Sequence, residues 1–588
     1  MTKVSVTKKL WCILSSHQRY KALILLILMF IGMILETLGV GLVIPLLTVM
    51  TKSDLHVEYP SLQKWFEYIG NPSPEELVIM GMIIFVAVYT VKVIFLSFFA
   101  WWQARFVSGL QVAYSQELFT GYLRQPYTFH LQHNSAHLIH NVIAEVGMFT
   151  NATRASLVIM AEILAALGIS ILLLSVEPLG ASIVIITLCL AAWIIHKLTK
   201  GLILNWGQAR QLHDKMRLQH LQQGFGSAKD IKILGRENEF INQFRIHNTG
   251  SAKIFRLTTT MEAIPRLLLE LLCVISLIIL VIVMIKQNND FDAIVPVLGL
   301  FTVAAFRIMP SVNRVLSAIQ NVRFARPAIE KLYDEFMLID NYLEKRNTRL
   351  IKLAKSLELN QVNYCYPNME DSVLHDINLI ISKGTSVGFI GGTGTGKSTL
   401  VDIILGLLTP KRGKVLVDGV DIQHNLRGWQ DQIGYVPQSI YITDDTVRRN
   451  VAFGLSNEQI DEASVWKAIR SAHLESFIKE MPEGLDTILG EHGVRLSGGQ
   501  RQRIGIARAL YHDPNILVLD EATSSLDIST ERGVMDAVRE LHGNKTILIV
   551  AHRLATVEDC DWVFRLDKGM IVEEGVPDDV LYENASNN

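Results

Sequence analysis

Gly391-Gly392-Thr393-Gly394-Thr395-Gly396-Lys397-Ser398 stands between the apolar run Val387-Gly388-Phe389-Ile390 and an apolar stretch from Thr399 to Leu408. The order is strand, glycine-rich loop, helix, and the loop matches GxxxxGK[ST]. Glycines let backbone N–H groups close around phosphates, the helix start adds its positive end, and Lys397 adds a point charge. Ser398 brings an oxygen suited to Mg²⁺. The context predicts an α/β phosphate-binding domain.

Downstream, Ile516-Leu517-Val518-Leu519-Asp520-Glu521 reads as a buried parallel strand that ends in two acids. Ligands of such sheets lie beyond the carboxyl ends of the strands. Asp520 is placed to hold Mg²⁺ and Glu521 to act as general base on an attacking water. An isolated strand ending in Asp-Glu is an ordinary turn; behind a phosphate loop it reads as chemistry.

Upstream the composition changes. The chain has 588 residues, 49% hydrophobic and 19% charged, and the apolar surplus is concentrated between Lys21 and Met309. Six runs reach the roughly 20 residues needed to cross about 30 Å of hydrocarbon: near 22–49, 77–100, 155–176, 180–198, 263–285 and 292–310. A large soluble helical protein would not need so many runs of that length. Val176-Glu177-Pro178 is a minimal hairpin between the third and fourth, whereas 101–154 and 199–262 are long, polar and helical in pattern, so spans are expected to extend past the bilayer. Lys3, Lys8, Lys9, Arg19 and Lys21 before the first span, and Lys197, Lys200, Arg210, Lys215 and Arg217 after the fourth, predict cytoplasmic N- and C-termini. Between the first two spans, Leu62, Trp65, Phe66 and Ile69 repeat at helical spacing and suggest a short amphipathic helix at the outer interface, or one packed on neighbouring loops.

A net charge of −2 offers no basic surplus for nucleic acid, which is not expected as a partner. The five cysteines lack CxxC or metal spacing and read as reduced thiols.

Leu496-Ser497-Gly498-Gly499-Gln500, opening a helix from Arg501 to Leu510, is similar to the LSGGQ signature of ATP-binding-cassette (ABC) ATPases. The resemblance extends along nearly the whole chain. Tyr366 resembles the aromatic that stacks on adenine, with Tyr364 a core residue. Gln438 in Val436-Pro437-Gln438-Ser439 looks like the Q-loop glutamine that reaches Mg²⁺ and the water, Asp527 like the D-loop aspartate, and His552 like the switch histidine. Gly490-Glu491-His492-Gly493 is similar to the X-loop of exporters, and Ile231 to Glu237 to the end of an exporter's second intracellular loop. The resemblance implies an all-α six-helix transmembrane domain of type IV exporter fold at 1–330, a linker at 331–350 and a P-loop ATPase domain with helical subdomain at 351–588. It also implies ATP and Mg²⁺ as ligands. Two such chains pair head to tail in that family, Ser497, Gly498, Gly499 and Gln500 of each facing the ATP on the partner's loop. With no catalytic position substituted, a homodimer in the cytoplasmic membrane would hold two competent sites.

An ionisable residue inside a span usually lines a cavity or meets another charge. The candidates are Glu36, Lys92, Arg105, Glu162, Glu270, Arg307 and Arg314. Arg307 and Arg314 share a helix face, and with Lys92 and Arg105 they could form a basic wall for a pyrophosphate head group; the other reading is that Arg105 and Arg314 sit in cytoplasmic extensions and form salt bridges. Leu35-Glu36-Thr37 and Phe306-Arg307-Ile308-Met309-Pro310-Ser311 resemble PglK-type flippases of lipid-linked oligosaccharides, which implies a polyprenyl-pyrophosphate-linked glycan as substrate. A pump for lipid A, drugs or peptides, and an ABC ATPase with a regulatory role, are the alternatives.

Overall fold

The computed structural model describes residues 6–46, 74–286, 291–340, 352–367, 369, 371–522 and 528–582. The stretch near Trp65 and Asp527 lie outside the described residues. The chain divides into two compact units, Met1–Gln125 with Gln132–Leu343, and Pro126–Leu131 with Glu344–Asn588.

Among the described residues the first unit has six long helices: α1 (Ser16–Gly41), α2 (Pro74–Leu123), α3 (Val146–Val176), α4 (Pro178–Gly226), α5 (Glu237–Lys286) and α6 (Phe291–Phe324). Ser15 and Gln18 start α1 with a capping box, in which Ser15 N–H donates to Gln18 Oε1 at 2.8 Å. Glu177 alone separates α3 from α4, and Pro178 opens the new helix, where a missing N–H costs no hydrogen bond.

Among the described residues, five helices are long and apolar enough to cross a membrane, and the sixth expected span falls on the 34-residue α6. At 1.5 Å per residue the 49 and 50 residues of α4 and α5 run about 75 Å, well beyond a bilayer core, as their polar halves predict. Only 6% of the most apolar window of α2 is buried within the protein. Ile83, Val86 and Ile94 on it are more than 60% exposed, a surface that water would not tolerate and lipid covers. This is a multi-pass membrane protein. α4 lies along α5, and α6 along α3.

Residues 331–340, expected in the linker, instead continue a helix, Arg326–Asp340. Ala328, Ile329, Leu332, Phe336 and Ile339 are all buried. Their helical spacing gives the segment a core-facing stripe that a solvated linker lacks.

The second unit contains β1 (Ser356–Tyr364), β2 (Leu374–Ser382), β3 (Ser386–Ile390), β4 (Arg412–Val417), β5 (Val420–Asp421), β6 (Ile433–Val436), β7 (Ile516–Asp520), β8 (Thr546–Val550), β9 (Trp562–Asp567) and β10 (Met570–Gly575). One sheet has the order β2-β1-β4-β5 and the other β10-β9-β3-β8-β7-β6. In the second sheet β9, β3, β8, β7 and β6 are mutually parallel. β3, β7 and β8 are buried at every residue, which is why they read as unbroken apolar runs rather than alternating ones.

Candidate active site

The strand order assembles the site. The loop after β3 leads into α7 (Lys397–Ile404), and β8, β7 and β6 follow in that order across the sheet. Parallel strands place their carboxyl ends along one edge, so the residues after β8 and β6 flank those at the end of β7.

Glu521 is the centre of this edge. Gln438 Nε2 donates to its Oε2 at 2.6 Å, and His552 Nε2 lies 2.6 Å from Oε1. Its backbone has φ 48°, the left-handed region that a side chain other than glycine's rarely adopts. Its N–H donates to Val550 O at 3.0 Å, which pins that conformation. The strain is retained at the residue proposed to do the chemistry.

The loop is closed on itself. Gly391 has φ 149°, and a Cβ there would stand 2.3 Å from Leu566 O. Lys397 is 4% exposed, and its ammonium donates to Gly391 O and Gly392 O, each at 2.9 Å. Burial pulls its pKa below the usual lysine value, and the Glu521 and Asp520 charges oppose that shift. Thr395 Oγ1 donates to Gly392 O at 3.0 Å; Thr393, Gly394 and Ser398 are exposed. Tyr366 OH meets Thr399 Oγ1 at 3.1 Å, next to the helix start, while Tyr364 is buried in the core of its sheet.

Asp520 is 8% exposed. Tyr435 OH donates to its Oδ2 at 3.4 Å, and Oδ1 is buried without a hydrogen-bond partner among the described residues. Burial and then the neighbouring Glu521 charge hold its pKa above the usual carboxylate range. A buried carboxylate oxygen with no donor, next to a second carboxylate, fits a divalent cation.

Ser497 caps its own helix, α8 (Gly498–Leu510): its Oγ accepts from Gln500 N–H at 3.2 Å and its N–H donates to Gln500 Oε1 at 2.8 Å. Ser497 and Gly498 are exposed, Gly499 is buried and Gln500 half-buried. The start of α8 therefore offers an N-terminus on the protein surface.

Two neighbours were missed from sequence. Tyr435 is one. Asp402 is the other, and its signal was an acid inside the apolar helix after the loop. Burial, then Asp520, pushes the Asp402 pKa up to about 6. A raised carboxylate favours the folded state only while protonated, so its penalty is absent below about pH 4, grows toward pH 6 and is full above it. Asp402→Asn should raise the stability of the nucleotide-free protein at pH 7.5 by about 1–2 kcal/mol, allowing for partial exposure, and leave it unchanged at pH 4. Melting curves at both pH values check this; an equal shift at the two would sink it.

In the first unit, four helices meet at one ionic cluster. Arg307 on α6 grips Glu36 on α1 with Nε to Oε2 at 2.8 Å and NH2 to Oε1 at 2.9 Å. It also reaches Glu162 on α3 at 3.3 Å. Lys92 on α2 sits 2.9 Å from Glu36, and Arg314 Nε 2.6 Å from Glu162. Ser311, one turn from Arg307 and missed from sequence, donates to Glu162 at 2.6 Å. Glu36, Lys92, Arg307 and Arg314 are thus brought together, but not as a bare basic wall, because two carboxylates interleave the three cations. Burying unpaired charges in spans is costly, and pairing is the cheaper arrangement. Arg105 stands over the Trp101 ring at 5.3 Å instead.

The ABC transporter family profile matches residues 374–524. An ATP-dependent lipid A-core flippase of Alkalilimnicola ehrlichii is 35% identical over 62% of this chain and 62% of its own length. One from Coxiella burnetii is 29% identical over 82% of this chain and 81% of its own length, and one from Escherichia coli 39% over 48% and 49%. The chain thus matches less than two thirds of the first of these relatives. A solved bacterial Atm1-family ABC exporter with ATP bound superposes with a TM-score of 0.78, at 20% identity, over 96% of both chains. That likeness carries the exporter fold, and the matched profile carries ATP binding. Residues 374–524 thus carry an ABC transporter ATP-binding domain, and the chain as a whole has the fold of an ABC exporter and is similar to ABC flippases along much of its length.

Proposed function

We propose that two copies of this chain, with ATP-binding domains packed head to tail, use ATP hydrolysis to export or flip an amphipathic lipid across the cytoplasmic membrane, both termini facing the cytoplasm. The observation that carries the ATPase reading is Glu521 held at 2.6 Å by both Gln438 and His552, within the geometry of a general base. Gly391, Gly392, Thr393, Gly394, Thr395 and Gly396 shape the phosphate cradle; Lys397 exchanges its two loop carbonyls for phosphate oxygens. Tyr366 offers its ring to adenine, and Ser497 with the start of α8 faces the partner's nucleotide. Ser398, Gln438 and Asp520 would hold Mg²⁺, which when bound neutralises phosphate charge. His552 orients Glu521 and senses the terminal phosphate.

The substrate we propose is a polyprenyl-pyrophosphate-linked oligosaccharide. The ionic cluster supports it: three cations against two carboxylates leave one net positive charge, and a phosphate can compete with carboxylates for a guanidinium fork. The names of the relatives favour a second reading, a lipid A-like phosphoglycolipid.

The test is reconstitution in liposomes, with phosphate release and glycolipid movement measured together. ATP-dependent movement of the polyprenyl-linked glycan supports the first reading; movement of lipid A alone supports the second. Hydrolysis without lipid movement removes both.

A further inference from the structure

A cavity of about 490 Å³ opens among α3, α4, α5 and α6 of the first unit, within the range of small-molecule sites. Its lining is rich in amides and hydroxyls. From α6 come Asn313 and Gln320, seven residues apart and so on one helix face. Asn313 Oδ1 and Gln320 Oε1 are both buried and without a hydrogen-bond partner among the described residues, and Gln320 is 5% exposed. A buried acceptor without a donor costs about 1–3 kcal/mol, so two of them lining one cavity point to a ligand that supplies hydrogens. From α3 comes Arg154, which forms no ion pair among the described residues, and from α5 Phe255, which is 73% exposed. Arg314 lines the same cavity while its Nε holds Glu162, so the cavity adjoins the ionic cluster.

We propose that this cavity binds the hydroxyl-bearing sugar part of a phosphorylated glycolipid, Asn313 and Gln320 hydrogen-bonding sugar hydroxyls while Arg314 lies toward the phosphate. The inference rests on the substrate reading above and names the residues that would read the glycan. A hydroxyl both donates and accepts, so it satisfies an amide in either orientation. A purely apolar drug would leave both acceptors unpaired. Arg154 and the Phe255 face complete a lining suited to a ring with polar edges.

The experiment is equilibrium binding to the full-length protein in nanodiscs. The probes are a polyprenyl-pyrophosphate-linked oligosaccharide, the same polyprenyl pyrophosphate without sugar, and lipid A with and without core sugars. Wild type should bind a sugar-bearing lipid about tenfold more tightly than its sugarless counterpart, and the pair that shows the difference identifies the lipid carrier. Asn313→Leu with Gln320→Leu should erase that preference and leave binding of the sugarless lipid unchanged. Asn151→Ala, at an exposed lining position, should reduce it without touching the core. Equal wild-type affinity for lipids with and without sugar overturns the proposal, as does a double variant that keeps the preference. Transport without sugar preference would overturn the site and leave the pump; sugar-selective binding without transport would support the site and remove the pump.

Discussion

Glu521→Gln lowers phosphate release by about 10³-fold, in the middle of the range for loss of a general base, while nucleotide binding stays within a factor of two or three. Glutamine has the same size and reach, so the Gln438 and His552 contacts at 2.6 Å can both be re-formed with one amide flip and a change of imidazole tautomer. What it cannot do is accept a proton from water. The loop, with Lys397 on the Gly391 and Gly392 carbonyls, follows β3, on the far side of β8 from β7, and keeps these contacts. Phosphate release and binding of a fluorescent ATP analogue, measured on the same preparation, separate the two. A variant hydrolysing within tenfold of wild type would show that another group activates the water. His552→Ala should give a smaller loss, because it removes the orienting contact and leaves the carboxylate.

Arg307→Ala destabilises the membrane unit by about 3 kcal/mol, at the lower end for breaking a buried ion pair. Among the described residues Arg307 alone touches both carboxylates: its fork closes on Glu36, itself 5% exposed, and NH1 reaches Glu162. Without it, among the described residues, Glu36 keeps Lys92, and Glu162 keeps Arg314 and Ser311. Those remaining partners hold the cost below the upper end. Arg314→Ala should cost less than about 1 kcal/mol, because its side chain is 47% exposed and a single contact is lost. Thermal melting in the same lipid for both variants gives the comparison. Equal shifts would mean that the cluster is held by packing of α1, α3 and α6 rather than by charge. Under the substrate reading, Arg307→Ala should also impair lipid movement and spare hydrolysis.

Local sequence was enough wherever covalent order dictates geometry. The glycine-rich loop must sit between a strand and a helix to work at all, and it does so at β3 and α7. The capping pair Ser497 and Gln500 is three residues apart, so α8 could be placed by reading along the chain. Hydrophobic run length was enough for membrane crossing, because the bilayer imposes one thickness on every span. The helix through 331–340 escaped, since its apolar stripe is short and interleaved with Glu330, Lys331 and Asp334, charges that also suit a linker.

Other features were decided only when distant segments met. That Glu521 lies between Gln438 and His552 follows from the sheet order β8-β7-β6, a crossover that no local pattern encodes. Asp402 and Tyr435 became neighbours of Asp520 for the same reason. In the membrane unit the residue types were legible, since charges in spans are conspicuous, but their partners were not. Glu36 and Arg307 are separated by 271 residues, and a run of apolar sequence carries no information about which helix face meets which. Sequence alone determined where the charges and the phosphate loop are; side-chain packing between helices and strands remote in the chain decided what each one touches, because contact energy depends on distance in space and not on distance along the chain.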